Sequence, residues 1–315
     1  MNHFLSINDV TDVNELIKKS MAIKESPLGH MDLGKGKTLG LVFFNSSLRT
    51  RMSMTLAAYN LGMNVMVLNV SSDSWQLEFE DGTRMDGGTA EHIKEAVPVL
   101  SSYCDVIGVR SFPGLINREE DYSEKVINAF KEYGGCPVIN LESATVHPLQ
   151  SLTDMVTIEE SKIIERPKVV ITWAPHVKAL PQAVSNSFLQ WADQMDFDLT
   201  VTHPEGLDLA NEFVGSAHVE YDQKKALEGA DIVYVKNWSS YQDYGKVIDQ
   251  PDWEMTLDKL MLTNNAKLMH CLPVRRNLVI SDDALDSHHS IVLQQAENRL
   301  YTAQAVLKEI LGSIK

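Results

Sequence analysis

Apolar residues along this chain recur in two rhythms. Continuous apolar runs at 37–44, 64–70, 105–109 and 137–140 have the length and punctuation of buried strands. Helical spacing fills the intervals. Asp12 with Glu15 three residues later reads as a capping box that opens a helix to about residue 24. In 51–60, Met52, Thr55, Leu56 and Tyr59 share one helical face. Ile93, Ala96, Val97 and Leu100 form another, perturbed by Pro98, and 123–132 a third. The second half repeats the scheme, with strands expected at 168–173, 198–202, 232–235, 266–269 and 291–293, and helices at 183–194, 222–228 and 297–312. Such alternation predicts an α/β fold, parallel sheets flanked by helices with right-handed crossovers. A chain of 315 residues exceeds one hydrophobic core. Two domains are expected, 1–145 and 146–296, with the terminal helix 297–315 packing back on the first because no strand follows it.

Composition narrows the function. Hydrophobic content of 44% and charged content of 23% are ordinary for a globular protein. The net charge of -15 argues against a general nucleic-acid or anionic-membrane surface. Cys104, Cys136 and Cys271 are too few for a disulfide framework and lack metal-ligand spacing, so a reducing cytoplasm and no metal are expected. The N-terminus shows no signal-peptide pattern, and no 18-residue apolar stretch suggests a membrane span.

An acidic protein that binds anions must cluster its cations. One cluster, Phe43-Phe-Asn-Ser-Ser-Leu-Arg-Thr-Arg51, falls where a strand gives way to a helix. Backbone N–H groups and the helix dipole favour an anion there. Ser47 and Thr50 add hydroxyls, and Arg49 and Arg51 add guanidinium forks matched to phosphate. The pattern is neither a Walker loop nor a dinucleotide fingerprint. A plain capped helix with two solvated arginines would read the same by spacing alone.

Three motifs in order decide between those readings. Ser47-Leu-Arg-Thr-Arg51 resembles the S-x-R-T-R signature of the aspartate/ornithine transcarbamylase family. His147-Pro-Leu-Gln150 resembles its H-P-x-Q, and His270-Cys-Leu-Pro273 the H-C-L-P of its ornithine branch. The resemblance covers residues 1–312. It implies the two-domain transcarbamylase fold, a homotrimer, carbamoyl phosphate as donor and no cofactor. It places carbamoyl phosphate on Ser47, Leu48, Arg49, Thr50, Arg51, Trp75, Arg110, His147, Gln150, Cys271, Leu272 and Arg299. Thr50, Arg110, His147 and Gln150 would carry the catalysis. Trp75 resembles a residue that acylornithine members insert into a neighbour's site; alone it would read as a core tryptophan. Cys271 beside His270 is not read as a nucleophilic pair, because strand neighbours face opposite ways and transcarbamylases form no covalent enzyme intermediate.

The acceptor is read from departures. Ordinary ornithine transcarbamylases carry an acid and a Ser-Met-Gly loop in the second domain, whereas this chain has Lys236-Asn-Trp-Ser-Ser240. A lysine there repels a free α-ammonium and suits an N-acylated ornithine. Thr172-Trp-Ala-Pro-His-Val-Lys-Ala-Leu-Pro181 resembles the proline loop of the N-acylornithine branch, which implies a knotted second domain and brings in His176. Glu142 matches an acceptor contact, and Lys236 and Arg276 are the candidates for the acceptor's carboxylates. Acetyl-using relatives have glutamate at the position of Ala90 and succinyl-using ones proline. Acetyl users also have a modified lysine where Gln304 stands. Both departures favour N-succinylornithine over N-acetylornithine. The alternatives are a transcarbamylase acting on free ornithine, putrescine or aspartate, and a non-catalytic anion-binding member of the fold.

Overall fold

The computed structural model describes residues 1–314 and divides into two compact units. The first comprises Met1–Pro113, Ser123–Leu149 and the C-terminal stretch from Arg299; the second comprises Gly114–Tyr122 and Gln150–Asn298.

The first unit holds a four-stranded sheet in the order Asn64–Asn69, Thr38–Phe43, Val106–Arg110, Val138–Glu142. All its pairings are parallel. Strand Thr38–Phe43 therefore has its sequence successor on one side and a later strand on the other. That reversal opens a crevice at the carboxyl ends of Thr38–Phe43 and Val106–Arg110, where open α/β sheets bind ligands. Leu39, Leu41, Val109, Ile139 and Leu141 are fully buried. Each such aliphatic side chain contributes about 1.5–3 kcal/mol on leaving water. Gly40 is a packing glycine, since a Cβ there would stand 2.6 Å from Cys104 Sγ. A separate parallel pair joins Gln76–Glu78 to Thr89–His92.

The second unit holds five parallel strands in the order Lys267–Met269, Ile232–Lys236, Lys168–Trp173, Asp198–Thr202, His218–Glu220. Its reversal lies between Lys168–Trp173 and Ile232–Lys236, so its crevice is at Trp173 and Lys236.

Several expectations need correction. Residues 291–293 are not a strand: only Ser290 bridges Leu268, and Val292 starts the helix Val292–Leu311. The β-branched run there is outweighed by the side-chain anchoring of Gln294, Gln295 and Asn298 described below. Residues 148–161 form a helix with Pro148 at its first position. In helix Leu48–Asn60 the buried face is Met54, Ala57 and Ala58, while Leu48, Met52, Leu56 and Tyr59 are exposed. The apolar periodicity read from sequence therefore marks a solvent-facing stripe. No helix of the described residues is long and apolar enough to cross a membrane, and none of their His, Cys, Asp or Glu side chains gather in threes fit to hold a metal ion.

Candidate active site

Each unit presents chemistry at its own strand reversal. In the first, strand Thr38–Phe43 ends just before Ser47, which is the N-cap of helix Leu48–Asn60 and accepts a hydrogen bond from Thr50 N–H. The cap satisfies one helix-end donor and leaves the first turn, with Arg49 and Arg51, at the positive end of the dipole. Thr50 is buried, and its Oγ1 accepts a 2.7 Å bond from Arg299 Nη2. Arg299, itself buried, thus joins the loop from a residue 249 positions away.

Arg110 closes strand Val106–Arg110, beside Phe43 in the register. Its guanidinium lies 4.4 Å from the centre of the Phe112 ring and donates through Nη1 to Glu142 Oε2. Its buried Nε–H has no hydrogen-bond partner. Phe112 N–H is held by Asn45 Oδ1 at 2.6 Å, which fixes the exit of one strand to the exit of the other. Glu142 ends the adjacent strand Val138–Glu142, and His147 Nε2 lies 3.5 Å from the same Oε2. Arg110, Glu142 and His147 are all buried. A buried carboxylate flanked by a guanidinium and an imidazole is a poised polar centre, costly to assemble without use. Trp75 is 56% exposed, with Nε1 donating to Glu91 Oε2 at 2.8 Å, so it is no core tryptophan. Ala90, on strand Thr89–His92, is exposed.

In the second unit, helix Pro148–Ser161 carries Gln150 and Asp154 one turn apart, both buried. Asp154 Oδ1 accepts from Gln150 Nε2 and from Gln295 Nε2, each at 2.7 Å. Gln295 Oε1 in turn accepts from His270 N–H at 2.9 Å. The second and third motifs are therefore tied through one carboxylate. Asn298 and Gln294 reinforce the same joint through Glu160. His270, Cys271 and Leu272 lie beyond the end of strand Lys267–Met269, so loop geometry rather than strand alternation sets their directions. The His270 ring accepts from Leu272 N–H at 2.9 Å. Leu272 has φ 55 and precedes a cis bond to Pro273. A leucine held left-handed costs on the order of 1–3 kcal/mol and is kept where the local shape is needed. Tyr234, fully buried, has its phenol pushed up by burial, by Asp154 and by Cys271.

At the second reversal, Lys236 is the last residue of its strand, buried, with Nζ donating to Asn237 O at 2.9 Å. Arg275 Nε donates to His176 Nε2 at 3.3 Å. Nδ1 meets both Lys178 O at 2.9 Å and Lys178 N–H at 3.1 Å. Burial lowers the His176 pKa, and the charges of Lys236, Arg275 and Lys178 lower it further. Sequence reasoning selected Arg276, but its guanidinium is committed to Asp286 and Asp282 at 2.7–2.9 Å. The neighbouring Arg275 faces His176 instead; nothing in the sequence distinguishes the two. Gln304 is buried, accepting from Asn60 Nδ2 at 3.2 Å.

Comparison with known proteins agrees with these motifs. Residues 2–160 match the carbamoyl-P binding domain of aspartate/ornithine carbamoyltransferase, and residues 181–310 match its Asp/Orn binding domain. The N-succinylornithine carbamoyltransferase of Bacteroides thetaiotaomicron is 49% identical, with 100% of each chain covered. The N-acetylornithine carbamoyltransferase of Xanthomonas campestris pv. campestris is 38% identical, covering 99% of this chain and 98% of the relative. A solved N-acetyl-L-ornithine transcarbamylase, with one glutamate replaced by alanine and complexed with carbamyl phosphate and N-succinyl-L-norvaline, superposes with a TM-score of 0.91 at 36% identity, covering 98% of this chain and 100% of that one. With two family domains matched in order and relatives aligned along the full length, this chain belongs to the aspartate/ornithine carbamoyltransferase family.

Proposed function

We propose that the protein transfers the carbamoyl group of carbamoyl phosphate to the δ-amine of N-succinyl-L-ornithine, yielding N-succinylcitrulline and phosphate in arginine biosynthesis. The observation that carries this reading is the cationic character of the second reversal. Lys236, Arg275 and neutral His176 stand where an acceptor with a free α-ammonium would need an acid. An acylated α-nitrogen is uncharged, and only carboxylates remain for these groups to bind. Nearly half of the residues are shared with an N-succinylornithine carbamoyltransferase, against 38% for the N-acetyl enzyme. In the solved relative, a protein lacking one glutamate is complexed with a succinylated ligand. Ala90 occupies the position expected for that glutamate and adds no facing anion. Gln304 is already hydrogen-bonded inside the first unit, in place of the modified lysine of acetyl users.

The chemistry follows from the donors. The phosphate is bound by the helix start at Ser47 and Leu48, by Arg49, Thr50 and Arg51, and by Arg299. Arg110, His147 and Thr50 donate toward the carbonyl oxygen, where negative charge grows as the amine attacks. Gln150 orients the carbamoyl nitrogen. The amine lone pair forms the N–C bond, the C–O bond to phosphorus breaks, and phosphate departs with that electron pair and accepts the amine proton. A free alkyl amine has a pKa of about 10.4, so the cationic surroundings favour its neutral, attacking form. Glu142 contacts the acceptor. Cys271 and Leu272 line its path.

A homotrimer with Trp75 serving a neighbouring copy belongs to the same reading. The exposed Leu48, Met52, Leu56 and Tyr59 stripe and the exposed Trp75 support it. A knotted second domain belongs to that reading too; its two loops are adjacent, with Ser239 N–H donating to Leu180 O and Gln182 Nε2 to Ser239 O. A cytoplasmic location fits three free cysteines.

The test is a side-by-side turnover assay with succinyl-, acetyl- and unmodified ornithine. The highest kcat/KM is expected for the succinyl compound. Preference for the acetyl compound would correct the acyl group, and preference for free ornithine would overturn the acceptor assignment. Binding of carbamoyl phosphate without turnover of any acceptor would leave a non-catalytic anion-binding protein.

A further inference from the structure

Strand Val138–Glu142 and helix Pro148–Ser161 are joined by five residues, 143–147, so Glu142 and His147 bracket one short turn. Ser143 N–H closes that turn on Val146 O at 3.0 Å. The two amides inside it, Ala144 N–H and Thr145 N–H, both donate to Glu124. They point at a side chain from elsewhere in the same unit. Glu124 Oε1 accepts from Thr145 N–H at 2.7 Å, from Ser143 Oγ at 2.7 Å and from Thr145 Oγ1 at 2.5 Å, while Oε2 accepts from Ala144 N–H at 3.3 Å. Successive amides flanked by hydroxyls and turned to one side make an anion-binding concavity. Here the protein's own carboxylate fills it. Asn140 Nδ2 braces the turn by donating to Ser143 Oγ at 2.9 Å.

Glu124 itself sits at φ 53 and ψ 37, left-handed backbone that glycine would adopt freely. A glutamate is kept there although the backbone disfavours it, so the side chain is what the position supplies. Both oxygens face donors, which fits the ionised form. Burial pushes its pKa up against the downward pull of those donors.

We propose that Glu124 is a positioning residue for the carbamoyl transfer. By gripping the turn 143–145 it holds Glu142 and His147 in the geometry in which Arg110 and His147 share Glu142 Oε2 and face the reactants. The inference rests on the function proposed above. It assigns Glu124 no contact with substrate. The groups proposed for the phosphoryl end, Arg49, Thr50, Arg51 and Arg299, lie outside this turn, whereas His147, at the carbonyl oxygen, follows it.

Glu124→Gly is the informative variant, since it removes the carboxylate while relieving the backbone and so favours folding. With N-succinylornithine as acceptor, its kcat is expected to fall about 10²-fold, the usual penalty for misplacing a reacting group by about an ångström. The acceptor KM should rise, and the KM for carbamoyl phosphate should rise less than kcat falls, because the phosphoryl contacts are kept. Added formate, small enough to enter the emptied concavity, should restore part of the lost kcat. Glu124→Gln, which keeps one oxygen facing the turn, should remain within about tenfold of the parent protein. The proposal is overturned if Glu124→Gly keeps the parental kcat. It is equally overturned if its loss resists formate, or if circular dichroism and thermal denaturation show that the loss matches a fall in the folded fraction. If the parent protein turned over no acceptor, the functional reading would fail separately. A crystal structure of Glu124→Gly would then decide the positioning claim by whether Glu142 and His147 have moved.

Discussion

Replacing Lys236 by methionine tests the acceptor assignment where it is most exposed to failure. Methionine keeps an unbranched stem of similar bulk and removes only the ammonium. Nζ now donates to Asn237 O at 2.9 Å within a buried setting, with His176 close enough to feel its charge. A hydrogen bond between charged groups in such a place contributes about 1.5–3 kcal/mol. At about 1.4 kcal/mol per tenfold change, loss of a lysine–carboxylate contact should lower kcat/KM for N-succinylornithine about 10- to 100-fold. The KM for carbamoyl phosphate should hardly move, because the groups proposed for its phosphoryl end, Arg49, Thr50, Arg51 and Arg299, belong to the first unit. Steady-state kinetics with each substrate varied in turn gives both numbers, and thermal denaturation separates the kinetic effect from any instability caused by the orphaned Asn237 carbonyl. An unchanged acceptor kcat/KM, or an equal loss in carbamoyl phosphate binding, would refute the assignment of Lys236 to the acceptor's carboxylate.

Other perturbations follow from the same geometry. Arg299→Lys gives up the fork that reaches Thr50 and should raise the KM for carbamoyl phosphate about tenfold with little change in the acceptor KM, measured by initial rates. Asp154→Leu should cut kcat about 10- to 100-fold by releasing both Gln150 and Gln295, whereas Asp154→Asn, which preserves the shared Oδ1 acceptor, should recover most of it; equal damage from both would contradict the role drawn for that oxygen. His176 should titrate below its ordinary pKa of about 6.5 in an NMR pH series, and a dicarboxylate acceptor analogue should raise it by offsetting the nearby cations. Because the folded protein takes up this proton later than the unfolded chain, His176 stabilises the fold above the unfolded value and withdraws that support as pH falls toward the folded one; denaturant unfolding of the parent and His176→Asn proteins should converge in that window.

Much of the fold was legible because the central strands are apolar on both faces. The runs at 37–44, 105–109, 168–173 and 232–235 coincide with strands whose residues are nearly all buried. The strands Gln76–Glu78, Thr89–His92 and His218–Glu220 escaped notice, being three or four residues long and largely polar. Residues 291–293 misled in the other direction: Ile, Val and Leu favour a strand locally, yet tertiary bonds from Gln294, Gln295 and Asn298 draw the segment into a helix. The helix from Pro148 was not among the expected elements, although proline's preference for the first helical turn offered a signal for it.

The site divides similarly. The anion loop was visible because its donors are contiguous in sequence. The cations at the second strand reversal were only half visible, since adjacent arginines differ by which one the loop turns toward His176, and only three dimensions show that this is Arg275. The carboxylates that hold the machinery were not visible at all. Asp154 meets Gln295 across 141 positions and Glu124 meets Thr145 across 21, and neither lies in a recognisable motif.

The most direct test of the central claim is a crystal structure of the protein soaked with carbamoyl phosphate. The phosphoryl oxygens are expected on the amides and side chains of the turn at 47–51 and on Arg299, with the carbonyl oxygen at Arg110 and His147. Phosphoryl density away from that turn, with Arg110 still bound only to Glu142, would contradict the account.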